Sequence, residues 1–393
     1  AITQKLKELN MSRKITQSEA EREITKYFGE DSVFFDGNIS TKYEAISTGS
    51  PNLDEAIGIG GIPMGRITQL AGQESSGKTM LALSTIREYL NKNPDNTALF
   101  IDAEYTYDPE WATKQGVDTS RVMVIKTNDA KAIFEGLLGK VKVNKQTKKV
   151  SKSMKGILDY VIEGTDPRFK NLGVIVLDSI AVLNTPLEIA ADIGKANMAP
   201  IPRFLSTELK KLTPIVAQAN VAFIGINQVR VNLGQMFGDP STSPGGKALK
   251  HACSLMLNMA PIFSSDSVIK TDAGERVGHT VRAKIQKNKV GPPFRQAEYR
   301  IMYEQGIIET EREVFDLAVK YGLIGKPTSQ SYSFGEDKVR GRDAAIRHLI
   351  DNNFVETFLS QITDIYINGE DSSEDSVEDS SSDQEDNPLI GMI

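Results

Sequence analysis

The chain has 393 residues, of which 39% are hydrophobic and 25% charged, with a single cysteine; this length allows one large core with one or two small satellites. No run of about 18 apolar residues occurs, which excludes a membrane span, and Ala1 to Glu30 alternates charge with apolar residues where a signal peptide would carry an apolar stretch, so a cytoplasmic protein is expected. The net charge of −6 is uneven: Glu370 to Asp386 holds nine acids and no base, leaving 46 basic against 43 acidic side chains before it, a mildly basic body with an acidic interaction or solubilising tail.

In chain order, residues 1–42 are expected to form an amphipathic helical arm, with Leu6, Leu9, Ile15, Ile24, Tyr27 and Phe28 as its apolar points. So short an arm cannot bury its stripe alone and must pack on its own core or on a neighbouring subunit. From Tyr43 onward strand and helix signals alternate, which predicts an α/β sheet covered by helices. Arg66–Ala71, Ala98–Asp102, Val122–Lys126, Val174–Asp178 and Ala222–Asn227 are short apolar runs suited to strands buried on both faces. Helices are predicted at Met80–Leu90, Pro109–Gln115, Ala130–Leu138 and Ile201–Gln218. Ser254–Ile262, Thr280–Lys289 and Gln296–Tyr303 read as further strands without evident crossover helices, hence as antiparallel additions.

Two segments break this rhythm. Gly139 to Lys155 contains seven lysines and no acid, which reads as a solvated loop or hairpin, or as a contact to a phosphate backbone. Val229 to Pro244, rich in Gly, Asn, Ser and Pro, is too irregular for strand or helix and long for a plain connection. Cys253 precedes an apolar run and reads as a core thiol, with no second cysteine to pair with.

The motif with most chemical content is Gly72-Gln73-Glu74-Ser75-Ser76-Gly77-Lys78-Thr79, which fits G-x-x-x-x-G-K-[ST] between a predicted strand and a predicted helix. Gly72 and Gly77 permit backbone angles that point successive N–H groups at phosphate oxygens, and the helix N-terminus adds a favourable dipole. Lys78 would reach the β- and γ-phosphates, and Thr79 would hold magnesium. Asp178, ending an apolar strand, is placed for a magnesium-directed carboxylate. Glu104, two residues past the end of another strand, would lie on the same sheet edge and could deprotonate an attacking water. Either acid could instead be a plain strand-end or loop carboxylate; together with the phosphate loop they favour catalysis.

Further collinear motifs resemble one family. Ile46-Ser47-Thr48-Gly49-Ser50, Gly60-Gly61-Ile62-Pro63-Met64-Gly65-Arg66, Ile101-Asp102-Ala103-Glu104 with Asp108-Pro109, Ile226-Asn227-Gln228-Val229-Arg230, Met236-Phe237-Gly238 with Gly245-Gly246, and Lys287-Asn288-Lys289 before Pro293-Phe294-Arg295 are similar, in order over roughly residues 43–320, to RecA-family recombinases.

That resemblance implies a RecA-like P-loop ATPase core with a twisted, mainly parallel sheet flanked by helices over 43–320. It also implies an N-terminal oligomerisation arm over 1–42, a small C-terminal domain over 321–369 and an acidic tail over 370–393. ATP with Mg2+ is the implied ligand pair. Glu104 would activate water, Asp108 and Trp111 would hold adenine, and Gln228 would contact the γ-phosphate and open a DNA loop. Lys287 and Lys289 would reach the nucleotide of an adjacent subunit. A first DNA loop would lie around Glu188 to Pro202, with Met198 as an apolar wedge between bases and Arg203, Ser206 and Lys210 toward phosphates. A second, Gln228 to Pro244, would carry Arg230 toward the backbone and Leu233 as another wedge, with Gly245 and Gly246 opening a helix whose amides can receive a phosphate. Ordinary packing is the competing reading for Met198 and Leu233.

The sequence departs from the family pattern in three places. His251 stands where phenylalanine is usual, Pro200 and Pro202 are expected to interrupt a helix start, and Gly139 to Asn171 is longer than the usual connection. The implied function is homologous pairing and strand exchange by a helical homopolymer on single-stranded DNA acting on homologous double-stranded DNA. Single-strand-binding and loader proteins are possible partners. A ring-forming ATPase motor with the same core, or a scaffold that filaments without exchanging DNA, are the alternatives.

Overall fold

The apolar runs become a ten-stranded sheet in the computed structural model, which describes residues 43–143, 150–189, 200–228, 230–231, 241–242 and 246–369. In chain order its strands are β1 (Ile67–Gly72), β2 (Thr97–Asp102), β3 (Val122–Lys126), β4 (Leu172–Asp178) and β5 (Ala222–Gln228). They are followed by β6 (Leu255–Ile262), β7 (Val268–Lys270), β8 (Arg276–Asn288), β9 (Gln296–Met302) and β10 (Gly306–Ile308). Across the sheet the order is β10-β9-β8-β6-β1-β5-β4-β2-β3, with β7 also on β8.

From β6 to β3 every neighbouring pair is parallel, whereas β8, β9 and β10 are added antiparallel. The expectation that Ser254–Ile262 joins as an antiparallel addition is therefore corrected: β6 runs parallel to β1 and antiparallel only to β8. A short crossover helix, Gly246–Ala252, supplies the connection that a parallel strand needs.

The described α-helices longer than four residues are α1 (Pro51–Ile57), α2 (Lys78–Lys92), α3 (Pro109–Lys114), α4 (Ala130–Leu138), α5 (Ile157–Glu163), α6 (Pro200–Gln218), α7 (Gly246–Ala252), α8 (Thr310–Lys320), α9 (Arg342–Asp351) and α10 (Phe354–Asn368). They cover both sheet faces, and this is why the central strands are apolar without alternation. Phe100, Val174 and Val176 pack with Leu81, Leu83 and Ile86 of α2 on one face. Leu99, Ile175 and Leu177 pack with Phe134, Leu205 and Leu209 on the other.

Pro200 and Pro202 do not interrupt α6; they lie in its first turn, where a backbone N–H has no intrahelical partner to lose. The lysine-rich segment is a hairpin, Lys140–Val143 paired antiparallel with Val150–Met154. Within the segment read as irregular, Arg230–Val231 and Ser241–Thr242 form a two-residue antiparallel ladder. Cys253 is buried, and burial pushes its thiol up to about 12, as a core thiol requires. A third apolar cluster joins Val314, Phe315 and Leu317 of α8 with Tyr332, Ala345, Leu349 and Ile362, so α8 shares its core with the elements after Tyr321. The expected arm over 1–42 and tail over 370–393 lie outside the described residues, and no described helix is long and apolar enough to cross a membrane.

Candidate active site

Parallel strands end on one edge, and an open α/β sheet binds ligands outside those ends. Here the register brings the motif residues together: Gly72 at the end of β1 pairs with Gln228 at the end of β5, and Asp102 of β2 pairs with Asp178 of β4. The loop Gln73–Gly77 then turns into α2, whose first two residues are Lys78 and Thr79. Gln73, Glu74 and Ser75 are exposed at the loop crest, while Ser76 and Lys78 are buried.

The glycines act differently from each other. Gly77 takes φ +81°, and Ser75, a non-glycine, also adopts a positive φ of 58°. Gly72 has no left-handed backbone; a Cβ there would stand 2.3 Å from the Met259 carbonyl oxygen, so close approach of β6 is what demands glycine. The expectation that Gly72 serves by its backbone angles is corrected accordingly.

The Lys78 ammonium is held by the loop itself, donating to the Gln73 carbonyl at 2.6 Å, the Gly72 carbonyl at 3.1 Å and Ser76 Oγ at 3.3 Å. Burial lowers its pKa from the ordinary lysine value, and the nearby Asp178, Glu104 and Glu74 charges oppose that shift. An anionic ligand would restore what burial removes. Thr79 Oγ1 donates to Asp178 Oδ2 at 2.8 Å, placing two hard oxygens side by side. Burial raises the Asp178 carboxyl to about 6, against the lowering effect of the Thr79 bond.

Among the described residues no group of three or more His, Cys, Asp or Glu could hold a metal. A pair of oxygens without a full protein shell suits magnesium, which keeps water and takes phosphate oxygens with one or two protein ligands; Thr79 and Asp178 therefore fit a magnesium–nucleotide pair.

Glu104 is half-buried beside this pair. Its Oε1 accepts from Ser179 Oγ at 2.5 Å, and its backbone N–H donates to the Asp178 carbonyl at 3.3 Å. Ser179 thus orients the carboxylate and leaves Oε2 for another partner. Gln228 is half-buried, its backbone N–H donating to Asn227 Oδ1 at 3.1 Å.

An open cleft of about 720 Å³ runs from Ser75, Lys78 and Thr79 to Trp111. Asp108 caps α3, its Oδ1 accepting from the Glu110 and Trp111 amides at 2.8 and 3.2 Å. The Trp111 indole donates to the Tyr303 carbonyl at 2.7 Å, which fixes the ring against the far wall. That wall comprises Phe263, Arg276, His279, Ile301 and Tyr303, none of which carries a motif. His279 is buried between Phe263 and Tyr303, its ring tilted 55° to each at 5.5 and 5.7 Å between centres, and neither ring nitrogen has a hydrogen-bond partner among the described residues. Burial and the Arg276 charge lower its pKa. The Arg276 guanidinium sits 4.1 Å from the Phe263 ring centre. No local sequence signal marks these residues: Phe263 and Tyr303 directly follow β6 and β9, Arg276 and His279 lie in β8, and their convergence depends on register, with His279 directly opposite Ile301.

Lys287 and Lys289 do not line this cleft. Their ammonium groups donate to the carbonyls of Lys250 and His251 at the end of α7, and the imidazole-bearing residue His251 is exposed. Arg203, Ser206 and Lys210 fall on one stripe of α6 by their i, i+3, i+7 spacing, with Arg203 and Lys210 exposed and Ser206 half-buried. Gly246 opens α7, and Arg230 pairs through its backbone with Thr242. Met198, Leu233 and Gly245 lie outside the described residues.

A family model described as the RecA N-terminal domain matches residues 15–143 and 138–308. The chain is 38% identical over 331 residues to Protein RecA of Borrelia hermsii, covering 84% of each chain. It is 37% identical to Protein RecA of Leptospira meyeri, covering 84% of this chain and 77% of the relative. With Protein RecA of Ruegeria pomeroyi the identity is 36%, over 85% of this chain and 87% of the relative.

Proposed function

The chain belongs to the RecA family, and from that premise we propose that it is a recombinase that hydrolyses ATP at the β1–α2 loop and uses the bound nucleotide to control DNA held by the segments after β4 and β5. The observation that carries this reading is the pairing of Gly72 with Gln228: the strand beginning the phosphate loop lies beside the strand that leads into the 229–245 segment. A change at the γ-phosphate therefore has a path one strand wide to the proposed DNA loop.

Each residue has a physical task in this reading. Amides of the loop and Lys78 bind the phosphates; Thr79 and Asp178 hold magnesium, which when bound neutralises phosphate charge and polarises the phosphoryl group. Glu104, oriented by Ser179, accepts a proton from the attacking water. Trp111, braced by the Tyr303 carbonyl, stacks on the base, and the free Oδ2 of Asp108 is available to its amino edge. Lys287 and Lys289, turned away from their own cleft, supply positive charge to the nucleotide of a neighbouring subunit, in the manner of a residue supplied in trans.

The partners follow: single-stranded DNA, homologous duplex and further copies of the chain. Arg203, Ser206, Lys210 and Arg230 would meet phosphates, with Met198 and Leu233 as wedges and Gly245 and Gly246 offering amides. Phosphate contacts and apolar wedges leave base edges free for pairing, so no sequence preference is expected. The test is phosphate release with and without single-stranded DNA. DNA should stimulate hydrolysis by the unaltered chain; hydrolysis indifferent to DNA would count against the coupling.

A further inference from the structure

The lysine-rich hairpin has no part in the nucleotide site, yet it builds a groove. With α4 and α6 it encloses a cavity of about 620 Å³. The floor is apolar, from Phe134 and Leu138 of α4 and Phe204 and Ile215 of α6, and Val141 of the hairpin faces it while 56% exposed. The rim carries Lys131, Lys140, Lys142, Lys152 and Lys211. Lys140 and Lys131 share Glu135, at 3.2 and 3.8 Å, Lys211 pairs with Glu208 at 2.7 Å and Lys152 pairs with Asp159 of α5, while Lys142 makes no ion pair among the described residues. Positive charge therefore exceeds the acids that face it.

A phosphodiester backbone would satisfy the lysines but gain nothing from the apolar side chains of Leu138 and Val141, which are open to a ligand. An acidic segment that ends in apolar residues matches both parts of the groove. The chain contains one: nine acids between Glu370 and Asp386, followed by Pro388, Leu389, Ile390, Met392 and Ile393. We propose that this groove is the dock of the chain's own 370–393 segment, the acids lying along the lysine rim and the Leu389–Ile393 end on the apolar floor.

The reach is sufficient. The helices before residue 370 share an apolar cluster with α8, which packs on α1 beside β9, and the hairpin follows β3 and α4. β9 and β3 are seven strand intervals apart in the sheet, about 34 Å at ~4.8 Å each, and passing from the α2 face, on which α1 packs, to the α4–α6 face adds about two layer spacings of ~10 Å. The residues from Glu370 to Leu389 can span at most about 70 Å.

The test joins carboxylates to lysines in the full-length protein with a zero-length carbodiimide crosslinker, followed by peptide mapping of the monomer band. Tail acids should be joined to the rim lysines, and two separate changes, Leu389→Ser with Ile390→Ser and the surface substitution Val141→Asp, should each abolish those links. Links that survive both changes would show charge attraction without a dock. Links to other lysines, or links confined to dimer bands, would overturn the assignment. Rim lysines protected by added single-stranded DNA, with no tail links in its absence, would identify nucleic acid as the occupant and equally overturn it.

Discussion

Lys78 rests against three oxygens of its own loop, so a phosphate must replace carbonyl and hydroxyl partners before it gains the ammonium. Replacing Lys78 by Ala removes the only ammonium among the groups lining the cleft, and hydrolysis should fall to background in a phosphate-release assay. Glu104→Gln keeps the shape and the Ser179 contact but removes the base; turnover should drop about 10²- to 10³-fold while fluorescent-nucleotide binding stays within about twofold. Loss of binding in that variant would contradict the assigned role. Trp111→Ala should weaken nucleotide binding up to about tenfold, the worth of one aromatic stack, measured by the same titration. These residues were legible because fixed spacing and strand ends mark them. The wall of Phe263, Arg276, His279 and Tyr303 was not, because nothing local to a strand says which opposite residue its register will meet.

At the scale of elements, the phosphate loop is held by β1, buried along its whole length, and α1 ties the antiparallel half of the sheet to α8. Ser50 Oγ and the Asn52 amide donate to Glu313 Oε2 at 2.6 and 3.0 Å, and Glu55 accepts from Lys320 and Tyr321 at 2.9 and 2.8 Å. Burial pushes Glu313 up to about 8 and Asp54 up to about 7. The folded chain therefore holds protons there that the unfolded chain releases near pH 4. Their contribution to stability is complete below that range and is lost as pH rises through 7 to 8. His279, with its lowered pKa, acts in the opposite sense, costing stability as pH falls below about 6.5. Calorimetry of Glu313→Gln beside the unaltered chain isolates the carboxyl: the Tm difference between pH 5 and pH 8 should shrink by about 2–4 °C. An unchanged difference would show that Glu313 is ionised when folded.

Element type was readable from apolar runs and helical spacing, as β4 and α6 illustrate. Direction was harder to read: β6 looked like an antiparallel addition because its crossover, the seven-residue α7, carries too little periodicity to announce itself. Pro200 and Pro202 misled for the complementary reason, since proline suits the first turn of a helix, and even Pro214 inside α6 does not end it. The lysine hairpin was legible as a surface feature, yet the apolar floor beneath it comes from α4 and α6, whose outward residues become a groove only after packing.

Among the described residues the cleft beside the phosphate loop is not lined by Lys287 and Lys289, whose ammonium groups lie against the end of α7. In the proposed reading two copies in a head-to-tail array complete each cleft, and a heterologous interface of that kind builds either rings or open helices. Negative-stain microscopy with an ATP analogue and single-stranded DNA should show helical filaments, and Lys287→Ala with Lys289→Ala should retain nucleotide binding by the single chain while losing DNA-stimulated hydrolysis. Closed six-membered rings would favour a motor instead. The central claim, that nucleotide chemistry here serves DNA pairing, is tested most directly by a joint-molecule assay with circular single-stranded DNA and homologous linear duplex. Joint molecules should form with ATP, and be absent without it and with Lys78→Ala; filaments that form in ATP yet yield no joint molecules would contradict the account.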